Sequence, residues 1–161
     1  MRMAIATALL VSLGWLAVVV GAPRWISASP GGAAHLVATA TYLAGSRICH
    51  QRPDRSFHLG AVPLPVCARC TGLYLGAPLG LAFALWRSRA GRRASPMADR
   101  ASRNLLIWAT LPTIGTVALE WIANAPVPPL ARLALAVLLG GVAAWVCGER
   151  LVADSRLESV R

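Results

Sequence analysis

The chain has 161 residues, 57% of them hydrophobic, and a net charge of +10. Its mean hydropathy is +0.59. A soluble domain of this size keeps too much surface exposed to hide such an apolar excess. That excludes an ordinary soluble fold and points to an integral membrane protein of one domain, residues 1–161. All 16 basic residues are Arg, which fits genomic codon usage, and they flank apolar runs. Positive-inside placement and anionic lipid headgroups account for them, so no nucleic-acid partner is expected despite a pI near 11.4.

The first apolar run, Ala4 to Ala22, is uncharged and close to the roughly 20 residues a bilayer core requires. Arg2 ahead of it resembles a signal-peptide start. The run exceeds a typical h-region, so an uncleaved anchor is expected. Pro30-Gly31-Gly32 marks a turn. His35 to Ile48 is apolar but studded with His, Thr, Tyr and Ser, and too short to span comfortably. A helix in the interface or packed on the bundle fits better. Pro53, Pro63 and Pro65 make the next segment a loop.

The second span is Thr71 to Trp86, short unless it recruits Pro65 to Cys70. Gly72, Gly76 and Gly80 repeat along it at four-residue spacing, the small-xxx-small pattern of close helix packing. The third, Leu105 to Ala123, carries Pro112 and Glu120. The fourth, Leu130 to Cys147, has Arg132 near its start. Pro78 and Pro112 are expected to kink their helices. The fold class is therefore all-α: a polytopic membrane helix bundle of about four transmembrane helices, an interfacial helix and a Cys-rich outer loop.

Arginine counting gives an orientation. Arg87, Arg89, Arg92, Arg93, Arg100 and Arg103 face one acid, Asp99, in a loop expected to be cytoplasmic. Both termini then lie inside, with Arg150, Arg156 and Arg161 in the tail, and the Cys-rich loop lies outside a bacterial inner (plasma) membrane. Trp86, Trp108 and Trp145 fall near the inner boundary, Trp25 and Trp121 near the outer one. Arg47, Arg52, Arg55 and Arg69 pull against this orientation. A fifth span at His35 to Ile48 would move only the N-terminus.

Chemistry concentrates between Ile48 and Gly76. Cys67-Ala68-Arg69-Cys70 is a CxxC, whose spacing lets both sulfurs face one point, to share a metal or to form a reducible disulfide. Cys49 lies upstream, followed by His50. Cys49, His50, Cys67 and Cys70 make a tetrahedral set for zinc, with copper(I) as a second ion. Adjacent Cys49 and His50 point apart on a regular backbone, so His58 is held in reserve. A helix beginning at the CxxC aims its free N–H groups and positive dipole end at the thiols. Arg69 adds a cation between them.

The run Cys49-His50-Gln51, Arg55-Ser56-Phe57, Pro65 to Gly72, then Tyr74 and Gly76 resembles the signature of an uncharacterised membrane-protein family, domain-of-unknown-function family 2085. The resemblance runs from about Tyr42 to Gly141. Pro112, Glu120 and Arg132 before Gly140 fit its later helices, although the family more often has Asp where this chain has Glu120. It implies a multi-span bacterial or archaeal membrane protein and carries over no activity.

Glu120 is an ionisable residue in a span, hence a functional candidate, with a salt bridge to Arg132 as the simpler account. Arg52, Arg55 and Arg69 suit an anion such as a lipid phosphate or a carboxylate, or ordinary headgroup contact. Gln51 and Ser56 suit a second shell around a ligand, or turn capping. Cys147 reads as an apolar filler and His35 as interfacial.

The leading expectation is a metal-binding membrane protein. The rival is a thiol–disulfide oxidoreductase using Cys67, Cys70 and Cys49 with a quinone. Its layout is similar to disulfide bond formation protein B and vitamin K epoxide reductase, without a second loop cysteine pair. A small transporter or lipid-handling protein ranks third. A homo-oligomer or membrane partner is compatible with all three.

Overall fold

The computed structural model describes residues 2–28, 31–90 and 99–158. Pro30, Arg92, Arg93 and Arg161, and the side chains of Arg2, Asp99 and Arg156, lie outside the described residues. Five α-helices follow in order among the described residues: α1 (Arg2–Ile26), α2 (Ala33–Ile48), α3 (Ala68–Arg89), α4 (Asp99–Ile122) and α5 (Pro129–Glu158). Four are long and apolar enough to cross a membrane: Met3–Ile26, Ala68–Arg89, Arg100–Ile122 and Pro129–Leu151. α2, at 16 residues, packs against α1 and is not among them. The expected bundle of four spans and one shorter helix is what the chain forms.

α3 is the central helix. Half of its most apolar window is buried, against 11% for α1 and for α4. It also has the lowest mean hydropathy of the four, 1.2. A helix surrounded by protein rather than lipid tails needs less apolar surface, which explains why the pair of values runs this way. Its glycines make its main contact. A Cβ on Gly72, Gly76 or Gly80 would collide with the backbone carbonyl oxygens of Leu133, Val137 and Gly141, and one on Gly140 with that of Leu73. The small-xxx-small stripe therefore seats α3 directly on α5. α3 and α4 continue unbroken through Pro78 and Pro112.

Two apolar clusters fix the ends of the bundle. Ile5 of α1 packs with Leu81 and Leu85 of α3 at one end. There Arg87 Nε also meets Glu149 Oε1 at 3.0 Å, and Trp145 Nε1 donates to the same oxygen at 2.9 Å. Val19, Cys49, Leu64 and Val66 pack at the other end.

The segment between α2 and α3 departs from the expected loop. A 3₁₀ turn at Pro53–Arg55 leads into a two-stranded antiparallel hairpin, β1 (His58–Leu59) and β2 (Val62–Pro63), with His58 opposite Pro63 and Leu59 opposite Val62. Gly60, at φ +64, opens the two-residue turn, as a type II′ hairpin requires. Pro63 is tolerated because a two-stranded ribbon is all edge.

Candidate metal centre and its arginine-lined cavity

Three elements bring the cysteines together. Cys49 ends α2, leaving the helix in an extended conformation with its N–H still bonded to Gly45 O. Cys67 is the N-cap of α3, also extended, and Cys70 lies in the first helical turn. Thr71 Oγ1 donates to Cys67 O at 3.1 Å and tightens that turn. The CxxC is thus at a helix start, as expected from a second span that begins there. The three sulfurs lie within 4.8 Å of one another.

What holds Cys49 against Cys67 is a set of polar contacts across the loop. Gln51 has a left-handed φ of 47, unusual for a residue with a Cβ. Its Nε2 donates to Tyr42 O at 2.7 Å and to Pro65 O at 2.8 Å. The Tyr42 hydroxyl donates to Pro63 O. Gly45 gives this arrangement room, since a Cβ there would strike Pro65 O and come within 2.8 Å of Gln51 Nε2. The chain two residues before Cys67 is therefore tied to α2. Cys67 N–H then donates directly to Cys49 Sγ at 3.2 Å. Ser56, buried, donates to Arg52 O at 3.0 Å and closes the 3₁₀ turn.

The electrostatics favour thiolate at Cys67. Its thiol is held down to about 5, first by the hydrogen bond from the Cys70 side chain, against a rise from burial. The Cys70 backbone N–H, the Cys49 side chain and the Arg69 backbone N–H lower it further. These are the donors that a helix start offers an anion. The Arg69 guanidinium is engaged elsewhere. Rather than standing between the thiols, it runs to α4, where Nη2 donates to Thr116 Oγ1 at 3.2 Å and Glu120 Oε2 at 3.0 Å.

Glu120 is the hub of that region. Arg132 Nε meets its Oε1 at 2.5 Å, and Arg55 Nη1 reaches its Oε2 at 3.5 Å. The expected Glu120–Arg132 pair is present, and Arg69 and Arg55 join it. Arg52 instead pairs with Asp54 at 3.3 Å, both exposed.

The cysteines sit between two unlike walls. On one side are Val19, Leu64 and Val66, backed by Trp15 and Tyr74. On the other is a cavity of about 300 Å³ whose lining includes all three cysteines, His50, Arg55, Arg69 and Arg132. His50 is exposed and lines this cavity, but lies outside the convergent sulfur group. The extended backbone at Cys49 sends successive side chains opposite ways, which accounts for that separation. His58, exposed on β1, is neither in the group nor on the cavity wall. Cys147 is exposed on α5, outside the sulfur group. Tyr42, Gly45 and Thr116 are parts of the site that no motif singled out.

Residues 49–146 match the family described as "Predicted membrane protein (DUF2085)". An uncharacterized protein of Methanothermobacter thermautotrophicus is 57% identical over 30 residues, 19% of this chain and 27% of that protein. Another, of Methanocaldococcus jannaschii, is 48% identical over 40 residues, 25% of this chain and 26% of that protein. The chain thus aligns with about a quarter of the length of each of these archaeal relatives. No solved structure matches. With the family match covering residues 49–146, the chain belongs to the DUF2085 family of membrane proteins.

Proposed function

We propose that this membrane protein binds one soft metal ion through the thiolates of Cys49, Cys67 and Cys70, with His50 closing the set from the cavity wall. The observation that carries the reading is the convergence of three sulfurs within 4.8 Å of one another. A tetrahedral zinc with sulfurs at about 2.3 Å sets them about 3.8 Å apart, so a small contraction suffices. Thiolate and imidazole donors suit zinc first and copper(I) second. The hydrogen bond from Cys67 N–H to Cys49 Sγ fixes the Cys49 sulfur beside the CxxC, where a shared ion would sit. With all four positions filled, the ion braces the loop between α2 and α3 against the bundle. The arginine count keeps its earlier meaning, with the cysteine loop on the outer face of the plasma membrane.

A quinone-coupled oxidoreductase would want an apolar slot beside the thiols. The space beside them is not a purely apolar slot, because four arginines line it together with Ile48 and Trp121. The apolar groove of about 340 Å³, walled by Leu16, Val20, Phe57 and Leu75, has no cysteine in its lining. The experiment is to purify the full chain in mild detergent without chelator, then measure bound metal by mass spectrometry and free thiols before and after reduction. About one zinc or copper per chain, lost in Cys67→Ser, supports the proposal. A metal-free protein in which two thiols appear only on reduction rejects it in favour of disulfide exchange.

A further inference from the structure

Beside the three sulfurs, positive charge exceeds its partners. Arg55, Arg69 and Arg132 all reach the single carboxylate of Glu120, and Arg55 also meets the exposed Asp54 at 3.8 Å. The Arg132 side chain is only 8% exposed, and its Nη1 is buried with no hydrogen-bond partner among the described residues. Arg69 Nε is in the same condition. A buried guanidinium nitrogen without an acceptor is unfavourable, more so where its charge is also uncompensated. Headgroup contact explains arginines at a surface but not one enclosed between α4 and α5. The three guanidinium side chains also line a cavity of about 300 Å³, which has room for a further acceptor. Four arginines, Arg52 included, line the cavity against the carboxylates of Glu120 and Asp54, so a divalent ion on three thiolates, adding one net negative charge nearby, leaves part of the surplus in place.

We infer that this cavity is a binding site for a phosphate-type oxyanion, held by the guanidiniums of Arg55, Arg69 and Arg132. Guanidinium forks match phosphate oxygens in spacing and charge, and low local dielectric strengthens each bond. Glu120 holds the three side chains in place. Two further lining residues, Ile48 and Trp121, are 61% and 78% exposed, so an apolar rim flanks the charged floor. A phospholipid headgroup with its chains on that rim and a free phosphate share the chemistry the floor recognises. The inference does not rest on the metal reading, because none of the three arginines is a metal ligand.

The test uses the full chain, as purified, in uncharged maltoside micelles. Inorganic phosphate and dihexanoyl phosphatidic acid are titrated separately and binding is read from the rise in Tm. At least one probe is expected to bind, and Arg55→Gln to weaken it about tenfold or more, the worth of one charge-assisted bond. Binding of the lipid alone assigns a lipid headgroup, and binding of phosphate, with or without the lipid, assigns a site for the free oxyanion. If Arg55→Gln does not fold, Arg132→Lys serves, since it keeps the charge on Glu120 and loses the fork. No shift with either probe overturns the inference, as does binding that the folded variant leaves unchanged. Repeating the titration on Cys67→Ser keeps the two readings apart: metal lost with probe binding retained upholds this one alone.

Discussion

Arg132 Nε meets Glu120 Oε1 at 2.5 Å, joining the start of α5 to the end of α4 through two side chains that are 8% and 4% exposed. Removing one partner of a buried pair leaves the other charge uncompensated, at a cost of about 3–5 kcal/mol. Here the penalty is compounded, because Arg69 and Arg55 share the same carboxylate. Glu120→Gln is expected to lower stability by that order, and Glu120→Asp by less. Thermal unfolding in detergent measures both, and an unchanged Tm for Glu120→Gln would contradict the arrangement.

The two histidines of the loop are expected to behave differently. His50 lines the cavity beside the sulfurs and His58 does not. His50→Ala should weaken zinc affinity tenfold or more while leaving the three thiolate ligands, and His58→Ala should leave it unchanged. Competition with a chromophoric zinc chelator reads the difference. The opposite order would make His58 the fourth ligand.

Gln51 is expected to act on the metal at second hand. It touches no sulfur in the described contacts, yet bonds both Tyr42 O and Pro65 O and so sets Cys67 against Cys49. Outer-shell partners of this kind are typically worth 10–100-fold in affinity. Gln51→Ala should lose about that much in the same chelator competition and keep a folded bundle. Gln51→Glu should not restore it, because a carboxylate offers no N–H to either carbonyl.

Close packing of α3 on α5 predicts unequal tolerance among glycines. Gly76→Val would drive a side chain into the backbone of Val137 and Gly141 and is expected to prevent assembly. Gly115→Ala meets nothing within 4 Å and is expected to be neutral or slightly stabilising. Monodispersity on gel filtration after extraction, together with Tm, separates the two.

Much of this bundle is legible in the sequence because its physics is local. An uncharged run such as Ala4 to Ala22 has one stable state in lipid, and Gly72, Gly76 and Gly80 mark a face by spacing alone. The site is legible only as a set of residue types. Cys67 and Cys70 are two residues apart, but Cys49 joins them through Gln51 and Tyr42, whose bonds to Pro65 and Pro63 span 14 and 21 residues. No periodicity encodes such contacts. Arg69 reads as a cation between the thiols because it lies between them in sequence. Its partner Glu120 is 51 residues away on another helix, and a buried carboxylate outcompetes nearby thiols for the guanidinium. The hairpin at His58–Pro63 is hidden for a different reason: three prolines in one short segment look like pure loop, although one of them is acceptable in an edge strand.

The most direct test of the central claim is X-ray absorption at the metal edge of the zinc-loaded full chain. Three sulfur scatterers at about 2.3 Å with one nitrogen near 2.0–2.1 Å are expected, falling to two sulfurs in Cys49→Ser. A shell of oxygen and nitrogen alone, unchanged by that substitution, would show that the three cysteines do not hold the ion.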